Sequence, residues 1–216
     1  MRDVSLAARL EAGGFLWTPR GTETPPAAAF TWVDTNQSEV EIEFLVPARG
    51  GHGTGIVEIQ SPVTAQALRH VEILLDDPLR IVVDDASPLA RELAFRGIVR
   101  IPRAGHFSVQ KALMHRTRGR AKQIKDFFYV FDLVDSTNGL SDTVLDDVVR
   151  ANARWRSQIA LFGRTLGERA QEPSFLLGIA EQYPSERRPS VAYVGRELRL
   201  WLERLAEARR TGEQRR

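Results

Sequence analysis

Cysteine is absent from this chain, which removes disulfides, thiolate metal sites and cysteine nucleophiles at once. Also missing is any apolar run near the roughly 20 residues that cross a bilayer. The N-terminal MRDVSLAARLEAGG carries no apolar signal-peptide segment. A cytoplasmic location without a membrane partner is the default expectation. Lysine is scarce: the 30 basic residues are 27 arginines and three lysines. A coding bias towards arginine accounts for that ratio but not for its placement, since Lys111, Lys122 and Lys125 all fall in one stretch. No Gly-x-Ser-x-Gly, His-Glu-x-x-His or Rossmann glycine pattern occurs, so hydrolase and dehydrogenase readings have no support. The four histidines lack metal-ligand spacing. His106 and His115 are nine apart on one expected helix and so near opposite faces, while His52 sits in a loop and His70 at a helix end.

What is present fits one substantial core, or one domain with a helical appendage: 216 residues, 43% apolar and 27% charged. The net charge of +2 is less informative than its distribution. Residues 1–149 carry 16 basic and 20 acidic residues, whereas 150–216 carry 14 and 8. From Leu93 to Lys125 there are nine basic residues and no acidic one, a field suited to phosphate groups.

Residues 4–12 read as a short amphipathic helix stopped by Gly13-Gly14. Residues 30–34 and 40–46 read as strands joined across Asp34–Ser38, and Ile56–Ile59 as another. Ser61-Pro62 has the form of an N-cap and first-turn proline, predicting a helix to about Arg69. Val71–Leu75 and Arg80–Val83 suggest a hairpin around Asp76-Asp77-Pro78, and Ile98–Ile101 a last strand. Helical periodicity then takes over at 107–116, 121–134, 141–151, 153–168, 173–183 and 190–210. Strands followed by helices predict an α+β fold. Residues 1–103 form its sheet region, 104–210 its helical half, and 211–216 a tail.

Several residues are candidates for chemistry. Glu41 and Glu43 share one face of a strand, an arrangement that hard divalent cations use. The local pattern, with Glu39 on the same face, favours a solvated surface. The Gly-rich ARGGHGTG lacks the Gly-Lys-Ser/Thr ending of a phosphate loop and reads as a connector. Lys111 lies mid-helix in FSVQKALMH among apolar positions, where a lysine must snorkel or meet an anion. Lys122 and Asp126 on the next helix are spaced for an i,i+4 pair. A surface salt-bridge network and a nucleotide-phosphate role remain equally open for this group.

The order of these pieces resembles the nucleotidyltransferase-like proteins related to the AbiEii type of toxin. The matching residues are Gly14-Phe15, Glu43-Phe44-Leu45-Val46-Pro47, Arg100-Ile101-Pro102, Phe107 with Lys111, and Lys125-Asp126 with Tyr129 and Asp132. They span about 6–135 and are most specific from Arg100 to Val134. The resemblance implies an incomplete nucleotidyltransferase-like mixed sheet and transfer of a nucleoside monophosphate from NTP to RNA or protein. Glu43 would help hold Mg²⁺, with Glu41 beside it. Lys111, Arg118 and Lys122 would meet the nucleotide, and Asp126 would orient Lys111 or a neighbouring basic group. Glu43 and Lys111 are then expected to face a common cavity.

Such enzymes also carry a Gly-Ser segment and an Asp-x-Asp pair that bind triphosphate and two Mg²⁺ ions. This sequence contains neither, which implies truncation and no turnover by the isolated chain. The alternative is a non-catalytic module whose 93–125 basic surface binds RNA or an acidic protein partner, with salt-sensitive affinity in the RNA case. A third reading lines a partner groove with Trp155, Phe162, Trp201 and Leu205, although core packing explains those residues better. Oligomeric state is not legible.

Overall fold

The computed structural model describes residues 5–20, 27–33, 37, 39–48, 55–86, 96–114 and 118–214. Most of the Asp34–Ser38 connection and of the Gly-rich stretch, His52 and His115 lie outside those residues. The fold is α+β, with strands first and helices after, in two compact units: 1–72 and 73–216.

The first unit opens with α1 (Leu6–Ala12), capped by the Ser5 hydroxyl, which accepts from the Ala8 amide at 3.0 Å. Gly14 takes a positive φ of 83° that a side chain would resist, and turns the chain into β1 (Leu16–Arg20). β1, β2 (Ala27–Val33) and β3 (Glu39–Glu43) form an antiparallel sheet in that order. At Phe44 the chain leaves that sheet, and β4 (Leu45–Pro47) joins another, so the single strand expected over 40–46 is two. Phe44 closes edge-on against Phe30, 6.1 Å between centroids, over a small core with Ala7 and Val63.

The helix expected after Ser61-Pro62 does not form. The Ser61–Pro62 bond is cis, and this pair is the turn between β5 (Ile56–Gln60) and β6 (Val63–Leu68). β6 is the middle strand, parallel to β4 and antiparallel to β5. Val63, Thr64, Ala65, Ala67 and Leu68 are all buried, the near-continuous run of a strand covered on both faces.

The hairpin expected around Asp76-Asp77-Pro78 is also absent. Val71–Leu75 is a 3₁₀ turn that drives Ile73 into the core of the second unit. β7 (Leu79–Val83) pairs instead with β8 (Gly97–Ile101), antiparallel. Pairing across a long connection is decided by packing, which local pattern does not encode.

The remaining helices are α2 (Ala104–Met114), α3 (Arg120–Val134), α4 (Ser141–Arg150), α5 (Arg156–Arg169), α6 (Pro173–Ala180) and α7 (Val191–Gln214). α7 thus runs on into the stretch read as a tail. α2 is the hub, packed against α3, α4 and α5. Gly105 lets α2 and α4 touch: an added Cβ would stand 2.5 Å from the Asp147 Cβ. Trp155, Phe162, Trp201 and Leu205 are buried in the shared core, as core packing predicts, although Trp201 also borders a cavity with Ser141, Leu200 and Arg204.

Candidate functional site

On α2 every residue is buried except Ala104, Phe107 and Lys111. Their spacing of three and four makes one open stripe along a helix otherwise enclosed. A lysine on that stripe is the least expected residue of the helix. Its ammonium lies 3.4 Å from Asp126 Oδ1 on α3, and its side chain is 20% exposed, enough to meet a solute.

Asp126 belongs to the buried face of α3, along with Phe127, Val130, Phe131 and Val134. Its side chain is only 3% exposed, so its charge has to be met by protein groups. Arg118 does this from the turn before α3, its Nη1 donating to both carboxylate oxygens at 3.0 and 2.9 Å. Gln123 fixes that turn by donating from Nε2 to the Arg118 carbonyl at 2.7 Å. Two cations share one carboxylate, leaving a local charge of +1 beside a partly open surface. The arrangement compensates the buried carboxylate and leaves its excess positive charge on the partly open side.

Lys111, Arg118 and Asp126 are therefore brought together. The expected Lys122–Asp126 pair is not among the ion pairs of the described residues: Asp126 is buried and paired with Arg118 and Lys111, and Lys122 is exposed. Lys122 and Lys125 are exposed and hold no ion pair among the described residues. Beside them Arg120 and Arg169 both bond Glu172, at 2.9 and 2.5 Å. Arg169 first and then Arg120 hold the Glu172 carboxyl below its ordinary range. That cluster ties α3 to α6 and is structural.

Glu41 and Glu43 project from one face of β3, opposite Thr31 and Ala29 of β2, and both are exposed. They belong to the first unit, and Lys111, Arg118 and Asp126 to the second. Among the described residues no group of three or more His, Cys, Asp or Glu is placed to hold a metal ion. Two carboxylates fall short of the six or more oxygens a hard divalent cation takes, so the donors described here do not fit a metal pair. Asp76, Asp77 and Asp85 are held by other side chains. Asp76 accepts from Arg154 and from Trp155 Nε1, Asp77 from Arg103, and Asp85 from Arg96. A cleft of about 640 Å³ is lined by Asp76, Asp77, His106 and Asp147 and by Arg103, which bridges Asp77 and Asp147.

Residues 18–152 match the protein family described as Nucleotidyltransferase. The chain belongs to that family. The match covers more than half of the sequence, from β1 through α4, and includes Glu41, Glu43, Lys111, Arg118, Lys122 and Asp126. No curated protein and no solved structure matches the chain. Membership in the nucleotidyltransferase family implies a nucleotide substrate. Among the described residues no helix is long and apolar enough to cross a membrane.

Sequence reasoning missed Gln123 as the brace of Arg118, and the pairing of Arg118 with Asp126. Arg118 precedes α3, so helical spacing carried no signal for either.

Proposed function

We propose that this nucleotidyltransferase-family chain binds a nucleoside triphosphate by its phosphates at the Lys111–Asp126–Arg118 cluster. The family reaction behind that binding is transfer of a nucleoside monophosphate to RNA or protein. One observation carries the reading: Lys111 is the cation on the open stripe of an enclosed helix, with its ammonium held by a buried carboxylate. The ion pair with Asp126 seats the ammonium, and the opening of that stripe to solvent leaves it able to meet an anion as well.

In this reading Lys111 and Arg118 contact phosphate oxygens, and Asp126 is a positioning residue that holds both cations. Lys122, exposed at the start of α3, adds to the attracting field. During transfer an acceptor hydroxyl bonds to the α-phosphorus, the bond to the departing pyrophosphate breaks, and the hydroxyl proton passes to water. Divalent cations supply charge neutralisation in such transfers. Glu41 and Glu43 are proposed to join a cation site only when further carboxylates are supplied, and no Asp-x-Asp occurs in the sequence. The chain by itself is proposed to bind nucleotide without turnover.

Equilibrium dialysis of labelled nucleoside triphosphates tests the site, followed by incubation with Mg²⁺ or Mn²⁺ and RNA or protein acceptors. Retention by the unaltered chain, lost in Lys111→Met, is expected, with no label on any acceptor. Undiminished retention by Lys111→Met would overturn the site. Label transfer abolished by Glu43→Gln would overturn the absence of turnover.

A further inference from the structure

The Lys111 ammonium is walled by two rings, 5.2 Å from the centroid of Phe107 and 5.5 Å from that of Tyr129. The rings meet edge to face with centroids 6.3 Å apart, and both are partly exposed. Cation–π attraction helps to seat the lysine. It does not account for aromatic surface left open beside it.

We propose that Phe107 and Tyr129 form a platform for the base of a nucleoside triphosphate whose phosphates reach Lys111 and Arg118. This inference rests on the phosphate-binding reading above. Position argues for it, because Phe107 shares the one open stripe of α2 with Lys111, so an anion approaching the ammonium passes the ring. Chemistry argues for it too: a nucleotide joins a polyanion to a flat π system, and this site sets Lys111, which shares Asp126 with Arg118, beside two aromatic rings.

Rigidity is the third argument. Tyr129 leans on Phe128, 5.5 Å between centroids, and Phe128 on Tyr183 at 5.0 Å. The Tyr183 hydroxyl in turn donates to Asp132 at 3.0 Å. A platform braced in this way loses little freedom when a base settles on it. Every base has a π face, so the site takes nucleoside triphosphates with little discrimination among bases and prefers them to inorganic triphosphate.

Calorimetric titration of the full chain with ATP and with inorganic tripolyphosphate tests this, since the second probe has the phosphates without the base. ATP is expected to bind at least about ten-fold tighter than tripolyphosphate, despite its lower charge. Tyr129→Leu and Phe107→Leu should each shrink that ratio, weakening ATP more than tripolyphosphate even though loss of a ring also loosens the seat of Lys111. Equal affinity for the two probes in the unaltered chain would overturn the platform and leave the phosphate site standing. Binding of neither would overturn both. The comparison in the unaltered chain needs no variant to fold, so the inference stays refutable if a leucine variant collapses.

Discussion

Replacing Asp126 by asparagine keeps its shape and removes its charge, leaving Lys111 and Arg118 side by side without a counter-ion. At an effective dielectric of about 20, the Lys111–Asp126 contact at 3.4 Å is worth about 5 kcal/mol before desolvation. Burying the carboxylate consumes much of this. Both cations are a fifth to a quarter exposed, and solvent screens them further. Asp126→Asn should therefore destabilise the helical unit by about 2–3 kcal/mol, and Lys111→Met by about 1 kcal/mol or less. Without Lys111 the missing carboxylate is less costly, so the double variant should fall short of the sum by about 1 kcal/mol. Urea unfolding followed by far-ultraviolet circular dichroism reads these values, the signal coming mainly from the helices. Additivity within about 0.5 kcal/mol would refute the claim that the lysine and the aspartate are energetically joined.

Burial, with the hydrogen bond to Asp132 second, raises the Tyr183 hydroxyl above its usual pKa, and Tyr193 is raised likewise by burial and Asp135. The unfolded chain loses these protons near pH 10 while the folded chain keeps them. Stability should thus hold below about pH 10 and fall above it, and Tyr183→Phe should flatten that fall in urea midpoints taken across the alkaline range. An unchanged slope would count against the assignment. Gly105→Ala places a Cβ 2.5 Å from the Asp147 Cβ and 2.8 Å from the Val144 carbonyl, and should cost about 1–3 kcal/mol by thermal unfolding. Gly163→Ala, mid-helix with nothing within 4 Å, should instead gain about 0.5–1 kcal/mol.

The helical half was legible because its periodicity is local. Ile124, Phe127, Phe128, Phe131 and Val134 mark the packed side of α3, and all five pack into the core. The strands were less so, since their pairing is set by distant partners. Val63–Leu68 carries alanines and a preceding Ser-Pro that suit a helix start, and only its central place in a sheet makes it a strand. The identity of Lys111 and Asp126 as a pair across two helices was foreshadowed by an isolated lysine among apolar neighbours. Arg118 as the main partner of Asp126 was not, because a residue in a turn has no period to reveal it. For Glu41 and Glu43 the alternation of β3 was readable, and it favours a solvated face over a ligand pair, since three glutamates in alternation need no ion to explain them.

The scarcity of lysine makes one measurement unusually direct. Selective ¹³C labelling of the lysine ε-carbons yields a spectrum of three sites, Lys111, Lys122 and Lys125, assigned by substituting each with arginine. On titration with ATP, the Lys111 signal should move first and furthest, and saturate with a single affinity. Movement of Lys122 and Lys125 with Lys111 stationary would place the anion elsewhere and contradict the account.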